Sequence, residues 1–437
     1  MKKFLLHLAF CTVLVLPQAT RARGATAAHD PAIDRYIQFL QQQKQTPVDY
    51  LVNLFQTYDL VVLCERSHPE VTQYDMIYQL AADPRFQQQA GHIFMENGSR
   101  ALQPAVETYL TDDSLTEPQA KEKLDSIFRG FDWGGPSNRA NIYGFYQKVR
   151  GLNRSLAKDL RVHLYPCDMD SDWTSITKEA YRALCQQLGQ RDRVMANHVS
   201  EKFNEIRRSG GRAKALVIMN YRHAFPHLLL QQGGNSKTVE NMTGFLLAAY
   251  PGKVANVMIN NFRIMPGSTD NQAVLSAIQE GKWDAAFAVS GNPSLGFSFR
   301  GSPFGDDEFD YFAVPFSLGK KYQDIFTGYV FYKPLDEHRL TFGIPGLLDA
   351  SFADEMRRRG QITGQTPSAE QIAKEIAESQ TTRACGYEDK EFFPKSEYAQ
   401  KIQHWLQAAS NTSTEPAKRQ TAASAARLRR PAPRPRR

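Results

Sequence analysis

The chain has 437 residues and is 42% hydrophobic, 23% charged and 11% aromatic. These proportions exclude a disordered, collagenous or coiled-coil chain as a whole and allow one to three domains. One apolar run approaches membrane-spanning length and it lies at the N-terminus, which excludes a polytopic membrane protein. The net charge of +7 belongs to the two ends. Lys418, Arg419, Arg427, Arg429, Arg430, Arg434, Arg436 and Arg437 face only Glu415 in the last stretch, and Lys2, Lys3, Arg21 and Arg23 precede Asp30. The body between them carries more acid than base, so the basic balance does not predict a nucleic-acid partner.

Lys2 and Lys3 precede an apolar stretch from Phe4 to Leu16, then Pro17 and a series of small residues through Ala28. This order reads as a secretory signal peptide over residues 1–27, with Ala25-Thr26-Ala27 fitting the cleavage rule. It predicts an exported protein, periplasmic or extracellular, in a bacterial envelope. Outside the leader remain Cys64, Cys167, Cys185 and Cys385. Export permits a disulfide, but so few cysteines cannot be what holds this chain together. Cys64 and Cys167 end apolar runs and read as buried thiols.

Along residues 28–408 short apolar runs alternate with helix-period segments. The runs are Leu60–Leu63, His92–Met95, Val162–Tyr165, Ala215–Met219 and Val254–Ile259, with similar ones at Ala285–Val289 and Gly328–Tyr332. Helices are expected near 72–82, 101–110, 117–128, 139–156, 178–208 and 241–250. Continuous apolar strands between helices predict one α/β domain, with a mostly parallel sheet covered on both faces. The segment from Leu110 to Arg150 reads as a helical insertion or lid. At least one of the aromatics Phe131, Trp133, Tyr143 and Tyr146, with Phe297, Phe304 and Phe309 further on, is expected on the wall of a binding cleft, although such spacing is more often core packing. Residues 409–437 alternate Ala, Arg and Pro and predict a disordered tail. Its charge suits an anionic envelope surface, and a merely solvated tail is an equal reading.

Ligands of parallel sheets gather at the carboxyl ends of the strands. There the first run leads into Glu65-Arg66-Ser67-His68, the second into Glu96, the third into Asp168 and Asp170, the fourth into Asn220-Tyr221-Arg222-His223. Two imidazoles with nearby carboxylates suit proton transfer near neutral pH. The chain holds no G-x-S-x-G elbow, no phosphate-binding Gly-Lys loop, no dinucleotide fingerprint, and no HExxH or CxxC spacing. Glu96 ends an apolar run, where a carboxylate needs a partner; Arg66 and Arg222 are the candidates nearest these motifs. Arg191 and Asp192 read as residues that hold a helix, His198 as a local packing residue, and His163 and His227 as ordinary fold residues.

Cys64-Glu65-Arg66-Ser67-His68 resembles the Gly-Glu-x-x-His segment of the erythromycin-esterase-like superfamily, which also includes ChaN-type haem-binding proteins and Tiki/TraB proteases. Glu96 matches its second acidic position, and Arg191-Asp192-Arg193-Val194-Met195-Ala196 resembles its Arg-Asp-x-x-Met-Ala helix. Lys214 to His223 resembles the strand that ends in a histidine, and Asn241 to Leu246 with Val254 to Gly267 the elements after it. The likeness runs from Asp59 to Gly267. It departs at Cys64, where the family has Gly, and at Asn220, where esterase members have a first histidine. The resemblance implies a small-molecule, ester-like substrate and no obligatory cofactor. On this reading His68 is the general base, Glu65 orients it, and Glu96, Arg222 and His223 position water or stabilise an oxyanion. Its relatives also imply two other outcomes: a haem or other ligand held without turnover, with Tyr165 and Tyr221 near the histidines, or a divalent metal.

Overall fold

Six of the seven expected strand runs are realised in the computed structural model, which describes residues 29–131, 136–232, 235–266, 273–311, 319–387 and 395–407. The leader, the basic tail and Trp133 lie outside the described residues. In chain order the strands are β1 (Leu60–Glu65), β2 (His92–Ser99), β3 (His163–Asp168), β4 (Ala215–Asn220), β5 (His227–Gln232), β6 (Asn235–Glu240), β7 (Val254–Ile259), β8 (Arg263–Pro266), β9 (Ala273–Ser276), β10 (Leu295–Ser298), β11 (Gly328–Phe331), β12 (Arg339–Phe342) and β13 (Arg383–Gly386). Seven of them form one sheet in the order β10-β11-β7-β1-β4-β2-β3. Its pairings are parallel except β10 with β11. Three two-stranded antiparallel pairs, β5-β6, β8-β9 and β12-β13, stand apart from it.

Side chains alternate across a strand, so a sheet buried on both sides needs apolar residues at every position. β1 shows this directly. Val61 and Leu63 face a core with Ile93, Met95, Leu216 and Ile218, while Leu60, Val62 and Cys64 face the other core with Phe94, Val217 and Met219. The first face is covered by helices Val71–Ala82, Gln103–Thr111, Glu117–Arg129 and Ala140–Asn153. The second is covered by Asp34–Gln42, Arg191–Arg208, Met242–Ala249 and Lys282–Val289. Each fully buried aliphatic side chain contributes roughly 1.5–3 kcal/mol relative to exposure. The β3 edge is closed to further strands: Gln103 Nε2 donates to the Leu164 carbonyl at 3.3 Å, and Pro166 offers no N–H.

Two expectations are corrected. Ala285–Val289 is not a strand but the end of helix Lys282–Val289. A short apolar run does not distinguish strand from buried helix by period, and its alanines favour helix. The long helix expected over 178–208 is two helices, Lys178–Gln186 and Arg191–Arg208, parted by a 3-10 turn at Leu188–Gln190. Gly189 in that turn is a poor helix former, costing about 1 kcal/mol relative to Ala in a helix interior. The break has a functional consequence, because it places Arg191 and Asp192 in the first turn of a new helix.

The segment from Leu110 to Arg150 is helical as expected, and most of it covers a sheet face. Its last helix begins at the rim, where Asn141 Nδ2 donates to the carbonyls of His68 (2.6 Å) and Glu70 (3.2 Å). The aromatics expected on a cleft wall are core residues. Phe131, Tyr143 and Tyr146 pack into one face, and Phe297, Phe304 and Phe309 into the other. Further on, β12 locks the loop after β1: Thr341 N donates to the Pro69 carbonyl at 2.8 Å and Arg339 N to Thr72 Oγ1 at 2.9 Å. All four described cysteines are free, with Cys64 and Cys167 buried.

Gly244 sits where helix Met242–Ala249 meets the turn after β4. A Cβ there would lie 2.0 Å from the Pro226 carbonyl oxygen, so backbone must move. Gly244→Ala is expected to lower stability by about 1–3 kcal/mol, although alanine is the better helix former. Urea unfolding of the two proteins measures it; equal midpoints would refute the close approach.

Candidate active site

The loop that follows β1 is fixed before it presents any chemistry. Arg66 is fully buried; its Nε donates to Glu70 Oε2 at 2.6 Å and its Nη1 to the Asn260 carbonyl at 3.0 Å. Glu70 in turn caps helix Val71–Ala82, accepting from Gln73 N. Arg66 is therefore committed to Glu70, and is not the partner of Glu96.

That frame sets His68 beside Glu65, the last residue of β1. His68 Nδ1 lies 2.8 Å from Glu65 Oε2, and Tyr74 donates its hydroxyl to Glu65 Oε1 at 2.8 Å. A buried carboxylate at Nδ1 holds the proton there and leaves Nε2 as the basic atom. Among the described residues the carboxylate oxygen nearest His68 Nε2 is Glu96 Oε1, at 3.9 Å, and the side chain is 26% exposed. Burial opposes a charge on His68, but the charge and hydrogen bond of Glu65, with Glu96 beyond, outweigh it against the opposing Arg139, and its pKa is raised above 6.5.

Glu96 lies within β2, two residues before Gly98, whose φ of +101° falls in the stretch between Met95 and Ser99 where the register with β3 shifts. Phe131 packs where a Cβ on Gly98 would be. Glu96 Oε2 accepts from Asn220 N at 2.7 Å and Oε1 from Arg191 Nη2 at 3.0 Å. Its partner is thus Arg191, not Arg66 or Arg222. Burial alone would raise its pKa, but His223, His68, Arg191 and the Asn220 N–H prevail and hold it well below the usual carboxylate range. Arg191 also forks onto Asp168, Nε to Oδ1 and Nη2 to Oδ2, both at 2.8 Å.

His223, just beyond β4, repeats the pattern of His68 with a difference. Its Nδ1 lies 2.6 Å from Asp192 Oδ1, which also accepts from Met242 N at 2.9 Å. Its Nε2 is 3.2 Å from Arg191 Nη1 and 3.6 Å from Glu96 Oε1. The imidazole is held at both nitrogens and its side chain is only 4% exposed. Desolvation works against the Asp192 charge, but the hydrogen bond and charge of His223 lower its pKa overall. Two carboxylate–imidazole pairs, Glu65–His68 and Asp192–His223, therefore aim their Nε2 atoms at one oxygen of Glu96. One Nε2 is open and the other is engaged.

Of the residues expected in the site, Glu65, His68, Glu96 and His223 converge. Arg222 stays at the mouth: its side chain is 44% exposed, and its nearest acidic atom is Asp192 Oδ2 at 3.8 Å. Asp168 supports Arg191, while Asp170 pairs with exposed Arg100. His198 Nδ1 lies 3.1 Å from the Cys167 carbonyl oxygen. Tyr165 is mid-strand, 3.0 Å from His92 Nδ1, whereas Tyr221 follows β4 at the rim. Sequence reasoning missed Tyr74 and Asn97, whose Nδ2 is 3.4 Å from His68 Nδ1, and took Arg191 and Asp192 for helix anchors. The available signal was an Arg-Asp pair opening a helix two residues after Gly189.

Glu65, His68 and Glu96 each offer one donor atom within 4.8 Å of the others. An imidazole with two carboxylates is a donor set that fits a divalent ion.

No family model matches the chain, and no curated protein matches it in sequence. Solved structures similar to it include a mutant erythromycin esterase EreC in its open conformation, 10% identical, covering 70% of this chain and 96% of that one with a TM-score of 0.41. A succinoglycan biosynthesis protein is 9% identical over 65% of this chain and 89% of its own, with a TM-score of 0.42. A Bacillus cereus protein is 10% identical over 69% and 97%, with a TM-score of 0.40. Likeness at this level assigns neither family nor activity.

Proposed function

We propose that the protein is an exported hydrolase of ester-like or other acyl bonds, with His68 as general base. The observation that carries this reading is the asymmetry of the two imidazoles. His68 Nε2 is open with its Nδ1 fixed on Glu65, while His223 is engaged at both nitrogens. His68 Nε2 takes a proton from water as the water oxygen bonds to the acyl carbon. The leaving oxygen then receives that proton as its bond to carbon breaks. The positive charge of Arg191, behind Glu96, offsets part of the negative charge that grows on the acyl oxygen.

A panel of ester, lactone and amide substrates tests this, with a pH profile on any that is cleaved. A general base works unprotonated, and the pKa of His68 is raised above 6.5. The rate is therefore expected to climb with pH through a midpoint above that value. A midpoint below it, or no turnover on any member of the panel, would overturn the reading.

A metal-assisted variant uses the same three residues. A divalent ion held by Glu65, His68 and Glu96 would supply Lewis-acid polarisation of the acyl oxygen. These carboxylates already accept from Tyr74, Arg191 and Asn220 N, which favours direct proton transfer. Elemental analysis of protein purified without chelator separates the two.

A further inference from the structure

Acceptors and donors are used unequally at this rim. Both oxygens of Glu65, of Glu96 and of Asp168 have hydrogen-bond partners within the protein, as does Asp192 Oδ1. Arg222 is the opposite. Its main chain is fixed, because its carbonyl accepts from Asn241 Nδ2 and the next carbonyl, of His223, accepts from Thr243 Oγ1 at 2.9 Å. Its guanidinium has no hydrogen bond among the described residues and only the 3.8 Å approach to Asp192 Oδ2. A guanidinium carries five N–H donors in a planar fork matched to a carboxylate. A second exposed guanidinium, Arg193, lies 4.3 Å over the Phe245 ring, on the helix whose first N–H holds Asp192. Of the Asp192 carboxylate, Oδ1 is taken by His223 Nδ1 and Met242 N, and only Oδ2 faces Arg222, beyond hydrogen-bond distance.

We infer that Arg222 is a specificity residue that binds an anionic group, a carboxylate above all, on the substrate of the proposed hydrolase. This rests on the hydrolase reading and narrows it to substrates with a negative charge some atoms away from the acyl bond. The neighbouring His223 is buried against Glu96 while Arg222 is exposed, so an anionic group held by Arg222 lies on the solvent side of the acyl bond at which His68 acts. The ionised group is the part of the ligand that Arg222 reads, and the acyl bond is the part that His68 reads.

The test compares nitrophenyl hexanoate with the nitrophenyl monoester of adipic acid, which replaces the terminal methyl by a carboxylate. Wild type is expected to prefer the anionic ester about tenfold or more in kcat/KM, as one charge-assisted fork supports. In Arg222→Gln the preference ratio is expected to collapse toward one, in Arg222→Glu to invert, and in Arg222→Lys to survive in part. Equal kcat/KM for the two esters in wild type, or a ratio unmoved in Arg222→Gln, would overturn the inference. If neither ester is cleaved, the hydrolase reading is what fails. Calorimetric titration with adipate then still decides the anion claim: binding to wild type that is lost in Arg222→Gln supports it, and equal or absent binding in both overturns it.

Discussion

Replacing His68 by alanine lowers turnover of a cleaved ester by roughly 100- to 10,000-fold, the range for loss of a general base. The expected signature is a fall in kcat with little change in KM, because His68 Nε2 meets the water and not the bulk of the substrate. The change also opens little core, since His68 is partly exposed and its loop is held independently by Arg66, Asn141 and β12. Folding is therefore expected to survive, and circular dichroism with the unfolding midpoint verifies that. His223→Ala is expected to lose rate differently. It frees Asp192, Arg191 and Glu96 from a shared partner, so both stability and rate fall. The comparison tests the asymmetry directly. If His68→Ala turns over at the wild-type rate, the base is elsewhere. If His223→Ala alone is dead while retaining wild-type stability, the roles of the two histidines are reversed.

The parts of this site that were legible in the sequence share one property: each comes within a few residues of the end of an apolar run. Glu65 and His68 follow Leu60–Leu63, Glu96 follows His92–Met95 and His223 follows Ala215–Met219. Apolar runs announce strands, and parallel strands present their exits on one rim, so these residues could be gathered without knowing the strand order. Pairing was another matter. Glu96 was matched to arginines near the strand exits, but its partner Arg191 is 95 residues away in sequence. The insertion of β4 between β1 and β2 brings Asn220 and His223 against Glu96, and Arg191 reaches the same point from its helix, contacting both Glu96 and His223. Strand order depends on how crossovers pack, and no local pattern encodes it. Tyr74 was invisible for a similar reason. On helix Val71–Ala82 it reads as one more core position, and only the fold shows that its hydroxyl ends at Glu65.

Arg191→Met is expected to be the most destabilising single change at the site, by about 3–5 kcal/mol, the cost of stripping one partner from a buried ion pair. The side chains of Glu96 and Asp168 are 4% and 3% exposed, and the guanidinium between them is 18% exposed. Methionine fills much of the volume but leaves two carboxylates without their cation. The pH dependence separates this cause from poor packing. Glu96 has a depressed pKa in the fold, with Arg191 among its causes. Its ionic contribution in wild type is fully present above its ordinary 4.5 and is lost as pH falls through the lowered folded value. In Arg191→Met the depression weakens, so Glu96 takes up its proton at higher pH and becomes neutral. The stability gap between the two proteins should accordingly be widest near neutral pH and shrink in acid. Urea unfolding across that range measures it, and a gap constant with pH would assign the loss to packing. Adding Glu96→Gln and Asp168→Asn to Arg191→Met removes the uncompensated charges and should recover part of the stability. The recovered protein should remain inactive, because the oxygen toward which both Nε2 atoms point is no longer an anion held by a cation.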